Sequence, residues 1–248
     1  VGEAGAEPAA GTGRVDAGGR ADGTAEGAGR TVDGTDGGAT ADAGTRPGAA
    51  SAAVGGAHAS LWQIHDSYIL AETQSGLLII DQHAAHERVL FEEMTRTFEE
   101  GGAASQRLLF PITLRLSPAE YGVVEDLRGL FERTGFEIEP FGGRTVIVHA
   151  APAPHPWFDA ERCLRDMIAE LTEGSELTRA ARNQHERIAM TFACKAAIKA
   201  GQRLSGEEME ELFERLFATE LPYHDVHGRP TVVRLSLDEL ERRFGRHG

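Results

Sequence analysis

From Leu61 onward the chain alternates between two periods, one near two residues and one near 3.6, and the switches between them predict its elements. Leu61-Trp62-Gln63-Ile64-His65 and Tyr68-Ile69-Leu70 alternate in part and read as strands. Leu77-Leu78-Ile79-Ile80 is an apolar run that reads as a buried strand. The turn signal Gln74-Ser75-Gly76 makes Tyr68 to Asp81 a predicted hairpin. After Asp81 the period becomes helical, with Val89, Leu90, Met94 and Phe98 on one face and Gly101-Gly102 as the stop. Arg107 to Leu116 is a predicted strand whose Pro111 argues for an edge or a bend.

Ser117-Pro118-Ala119-Glu120 has the composition of a capping box with proline at the first helical position, so a helix is predicted from there to about Thr134. Phe136 to Glu139 and Thr145 to Val148 read as a second pair of strands around Gly142-Gly143. The proline-rich run from Ala151 to Trp157 reads as a linker. Helices are predicted over 159–171, 177–200, 206–217 and 236–244, with a last strand over 230–235. Strand pairs and helices come in runs rather than as a βαβ repeat, which places the chain in the α+β class.

Composition changes this picture at the N-terminal end. Of the 248 residues, 1–57 are nearly all Gly, Ala, Thr, Asp, Glu and Arg, with no Leu before Leu61 and no aromatic before Trp62. Such a stretch buries too little apolar area to offset its ordering entropy, so it reads as a disordered linker. The remainder is long enough for one core, or for two lobes. A start at Val1 within linker-like sequence reads as a fragment of a longer protein. No apolar run has membrane-spanning length and no signal peptide is visible. The two cysteines, Cys163 and Cys194, give neither a zinc-finger spacing nor a disulfide framework, and a cytoplasmic setting is the default. A net charge of −14 disfavours autonomous DNA binding.

The densest chemistry lies between Asp81 and Glu92. An acid where a strand leaves the core is followed by His83 and Glu87, four residues apart and so on one helical face. Oxygen and imidazole donors in that arrangement suit Zn²⁺, Mn²⁺ or Mg²⁺. The plainer alternative is that Asp81 caps the helix and the rest is a solvated face.

The same stretch resembles the endonuclease motif of the MutL family of DNA mismatch repair proteins: D-Q-H-A, two residues, E, four residues, E. Asp81, Gln82, His83, Ala84, Glu87 and Glu92 fill every specified position. Two other segments carry the resemblance. Ala193-Cys194-Lys195 is similar to the family's A-C-[K/R] helix, whose Cys lies beside the metals; by itself Cys194 reads as a small buried apolar residue. Asp225-Val226-His227-Gly228-Arg229-Pro230 is similar to C-P-H-x-R-P, with Asp225 where the family has Cys and Val226 where it has Pro. A carboxylate there is a harder donor than a thiolate and shifts metal preference towards Mn²⁺ or Mg²⁺. Read alone, Asp225 and His227 are turn residues before Gly228.

The resemblance implies a two-lobed fold. A dimerisation and endonuclease lobe would be built from residues 58–111 and 187–248, and a regulatory lobe, 112–186, would be inserted between them. It implies a metal-dependent endonuclease that nicks duplex DNA. Asp81 and Glu87 would be catalytic metal ligands, and His83, Cys194, Asp225 and His227 would complete a two-metal site holding Zn²⁺ or Mn²⁺. Arg229 and Lys195 would be phosphate contacts, and Glu92 would lie behind the ligands. Gln106-Arg107-Leu108-Leu109-Phe110-Pro111 is similar to the peptides that dock on the replication sliding clamp. Gln106 and Pro111 would match the family's Q-x-x-x-x-P, and Leu109 and Phe110 would fill an apolar pocket; an ordinary strand is the alternative. Implied partners are a second copy of the chain, the sliding clamp, MutS and duplex DNA, in the cytoplasm at the nucleoid. ATP would belong to an N-terminal ATPase domain that this sequence lacks. The other functional reading is a non-catalytic dimerisation and clamp-docking module with a structural metal. A metalloprotease is a poor fit, because the chain has no H-E-x-x-H and His83 and Glu87 lack the paired second histidine.

Overall fold

A computed structural model describes residues 60–175 and 179–246. The predicted linker, 1–57, lies outside the described residues. Strands β1 (Leu61–Ile64), β2 (Tyr68–Thr73) and β3 (Gly76–Asp81) form an antiparallel meander, and β7 (Val232–Ser236) pairs with β3 from the far end of the chain. Helix α1 (Gln82–Glu100) follows β3 without a loop. The second sheet has the order β4 (Gln106–Arg115), β6 (Thr145–Ala151), β5 (Glu137–Gly142). It is accompanied by α2 (Pro118–Arg133), α3 (Ala160–Glu173) and α4 (Gln184–Ala196). Helices α5 (Gly206–Ala218) and α6 (Leu237–Arg243) flank β7 in sequence. The architecture is α+β.

The hairpin register pairs Tyr68 with Asp81 and Thr73 with Gly76, which leaves Gln74 and Ser75 as the turn. Gly76 is required there. Its φ is +142°, and a Cβ on it would lie 2.1 Å from the carbonyl oxygen of Leu235 on β7. Pro111 falls where the β4–β6 register shifts between Arg107 and Ile112, on an edge strand, so its missing N–H costs no ladder bond. Strand β4 crosses the expected lobe boundary at 111–112, because segments on both sides of the bulge pair with β6.

Two elements differ from expectation. Strand β6 runs on to Ala151, into the stretch read as linker, because Ala150 and Ala151 pair with Arg107 and Gln106. The helix expected over 177–200 is interrupted: 179–180 are helical, the chain leaves the helix over 181–183, and the regular helix runs Gln184–Ala196, while 176–178 lie outside the described residues. Asn183 caps its start and Ala197 turns extended at its end, so Ile198 is freed for contacts with two histidines of α1.

Helix α1 is shared by two apolar clusters. Ala85 and Val89 pack with Ile69, Ile80, Leu212 and Leu216; Leu90, Met94 and Phe98 pack with Leu114, Phe131, Met167 and Phe192. A helix fixed on both sides over its length is a rigid platform for whatever its first turns carry.

Candidate metal centre

Asp81 ends β3 and caps α1: its Oδ1 accepts the amides of His83 at 2.9 Å and Ala84 at 3.0 Å. The next residue, Gln82, is fully buried. Its side-chain amide donates to the carbonyls of Asp66, Lys199 and Gln202, and its oxygen accepts from Gln63 at 2.6 Å. It therefore ties the start of α1 to the chain following α4. His83 and His86 complete that tie. His83 Nδ1 lies 2.7 Å from the carbonyl of Ile198, and the amide of Ile198 donates to His86 Nδ1 at 3.0 Å.

A carbonyl only accepts, so His83 carries a proton on Nδ1. Its Nε2 then faces Glu87 Oε1 at 3.2 Å. Two bare lone pairs at that distance repel; a proton or a metal cation between them removes the conflict. Without a metal the proton takes the place: the hydrogen bond to Glu87 raises the pKa of His83 above the ordinary histidine range, outweighing its burial. Burial would push the Glu87 carboxyl up. The hydrogen bond from His83 and the positive charges of His83, His227 and Arg229 bring it to a net value below the ordinary range.

Cys194 and His227 approach the same carboxylate. Cys194 Sγ lies 3.2 Å from His227 Nε2, which is 3.8 Å from Glu87 Oε2. Donor atoms of Glu87, Cys194 and His227 all lie within 4.8 Å of one another, and His83 stands on the other oxygen of Glu87. Burial, with the nearby Glu87 charge, pushes the Cys194 thiol up to about 12. Two imidazoles, a carboxylate and a thiol held protonated form a cluster in which a divalent cation would replace protons. The donor set fits Zn²⁺.

The other candidate residues surround this cluster. Asp225 is buried, with its carboxylate on the amides of His227 and Arg229 and on the Arg229 guanidinium, and it does not join the donor group. Arg229 also donates to Glu87 Oε2 at 3.0 Å. Lys195 reaches Glu170 of α3 at 3.4 Å, whereas Lys199 donates to the carbonyl of Cys194 at 3.0 Å. Glu92 accepts the amides of Glu220 and Leu221 at 2.7 and 3.3 Å and thereby holds the chain that leads to the Asp225 turn. Arg88 was not singled out by the sequence. Its buried guanidinium donates to the carbonyls of His224 and Asp225 at 2.6 and 2.7 Å, so the residue after Glu87 fixes the turn that carries His227. A charged residue on the apolar side of α1 was the one available signal.

Residues 61–204 match the model of the MutL C terminal dimerisation domain. The chain belongs to the MutL family. It is 56% identical over 186 residues to the DNA mismatch repair protein MutL of Gemmatimonas aurantiaca, covering 75% of this chain and 30% of that protein. It is 45% identical over 187 residues to the protein of the same name in Chlorobaculum tepidum, again 75% of this chain and 30% of that protein. The chain therefore spans about 30% of the length of these MutL relatives. Within the MutL-family match lie α1 and Cys194, whereas His227 and the Asp225 turn follow it. Among the described residues no helix is long and apolar enough to cross a membrane.

Proposed function

We propose that this chain is the metal-dependent endonuclease and homodimerisation module of a mismatch repair protein, nicking one strand of duplex DNA. The observation that carries the reading is the convergence of Glu87, Cys194 and His227, with Nε2 of His83 set against Glu87 at 3.2 Å. Glu87, Cys194, His227 and His83 would hold Zn²⁺ or Mn²⁺. Bound there, the metal would lower the pKa of a water and stabilise charge on the scissile phosphate. The protein's own groups do the rest. Ile198 fixes the His83 tautomer, Arg88 fixes the His227 turn, and the half-exposed Arg229 presents a guanidinium for a phosphate oxygen.

Two surfaces support the implied partners. Trp62, Leu70, Ile79 and Val233 stand in one register row across the first sheet. Trp62 and Val233 are 50% and 55% exposed, an apolar row suited to a second copy. At the β4 bulge, Leu109 and Phe110 are 88% and 81% exposed, as a segment docking on the sliding clamp requires. The clamp would present DNA to a chain whose net charge is −14. MutS would bring this activity to mismatches.

A second reading, a docking module with one structural metal, is favoured by the carboxylates of Asp81 and Asp225. One is engaged in a helix cap and the other in its own turn. Nicking of supercoiled plasmid by the full chain with Mn²⁺ and clamp separates the two. Asp81→Asn keeps a capping side chain and Glu87→Gln keeps the shape of the site, so both isolate charge. Nicking that both substitutions abolish supports the endonuclease. A folded, metal-bound wild type that cuts nothing with clamp present gives the second reading the lead.

A further inference from the structure

We infer that Asp225 is a positioning residue that sets two of the donors, His227 and Glu87, and is not itself a ligand. The inference rests on the metal-centre reading above. The Asp225 side chain has no exposed surface. Its Oδ1 accepts the amides of His227 and Arg229, each at 2.8 Å, and its Oδ2 accepts Arg229 Nε at 2.5 Å. The backbone closes the same loop: the Asp225 amide donates to the Arg229 carbonyl at 2.9 Å, and Gly228 makes the reversal at φ +79°. Arg88 then bolts the Asp225 carbonyl to α1 at 2.7 Å, one residue from Glu87.

Two consequences reach the donors. The amide of His227 is fixed, which aims its ring so that Nε2 meets Cys194 Sγ at 3.2 Å. The guanidinium of Arg229 is also fixed, and its Nη2 braces Glu87 Oε2 at 3.0 Å. Turning the carboxylate towards a metal would break either the two amide bonds that shape the turn or the ion pair that holds Arg229 against Glu87.

The test uses the full chain, stripped of metal and reloaded with Co²⁺, as wild type, Asp225→Asn and Asp225→Ala. Asparagine retains an acceptor for the two amides; alanine does not. Asp225→Asn keeps the acceptor that sets His227 but loses the one for Arg229 Nε, so it is expected to keep the wild-type Co²⁺ stoichiometry and d–d spectrum, with affinity lowered by no more than about threefold. Asp225→Ala is expected to bind about tenfold or more weakly, the usual cost of losing a group that orients a ligand, with an unchanged spectrum at saturation. A shifted d–d band in Asp225→Asn, or a loss of affinity equal to that of alanine, overturns the inference. Amide hydrogen exchange of the metal-free chain gives an independent reading. The amides of His227 and Arg229 should be protected in wild type and in Asp225→Asn, and exchange at least about tenfold faster in Asp225→Ala. Equal exchange in all three overturns the positioning role. If wild type binds no Co²⁺, the metal-centre reading falls, and the exchange measurement alone still decides whether Asp225 sets the turn.

Discussion

His86 shows how a single side chain of the motif region serves the fold rather than the chemistry. It is buried beside two residues of the donor cluster, and its Nδ1 accepts the amide of Ile198. Burial lowers its pKa from 6.5 to about 3, helped by the charges of Arg215, His155 and His83. The unfolded chain therefore takes up this proton first as pH falls. The stabilisation is complete above pH 6.5 and is lost progressively below it, down to about pH 3. At pH 5 the loss is about 2 kcal/mol relative to neutral pH. Urea unfolding at pH 7.5 and pH 5 should show wild type losing more stability than His86→Gln, which does not titrate. Parallel losses would mean that His86 is not held neutral. Arg88 and Gln82 are similar cases: polar residues with negligible exposure whose partners are backbone carbonyls from distant segments. In one dimension both look like surface residues of a helix, because spacing does not reveal which face a second core will cover.

At the scale of elements, starts and stops were legible wherever local chemistry sets them. The capping box at Ser117 and the stop at Gly101 are present as the residues predict. Elements were misjudged where a distant partner sets the boundary. Strand β6 was read too short because its last pairs are with residues about forty positions earlier, and α4 was read too long because Ile198 is drawn out by His83 and His86. Two glycines make the contrast measurable. Gly122 lies inside α2 with open space around its Cβ position, so Gly122→Ala should raise stability by about 1 kcal/mol. Gly76→Ala should lower it by about 2–4 kcal/mol, because the new methyl meets the Leu235 carbonyl and β7 must move. Thermal or denaturant melts of the two variants check both signs; a neutral Gly76→Ala would show that β7 is free to shift.

For the whole molecule, the apolar row on the first sheet is the feature with the largest consequence. It draws residues from four strands, one of them from the far end of the chain, so no single stretch of sequence displays it. Val233→Asp puts a charge at the β7 end of that row at an exposed position, so the subunit should stay folded, within about 0.5 kcal/mol of wild type. Association should be lost. Sedimentation velocity on wild type and variant decides: two species of the same mass would remove this face as the site of self-association.

The sequence by itself determined the α+β class, the hairpin leading into α1, the helix caps, the family resemblance and the placing of His83 and Glu87 on one helical face. These follow from side-chain period, capping chemistry and motif spacing, all of which act over a few residues. Only the tertiary structure decided which candidates meet. Glu87, Cys194 and His227 come from three segments and converge because α1, α4 and the Asp225 turn are held together by Gln82, Arg88 and the backbone of Ile198. Asp225 was expected among the ligands by its place in the motif, yet its carboxylate lies within its own turn. A carboxylate's role depends on whether amides or a cation reach it first, and that is fixed by geometry in three dimensions.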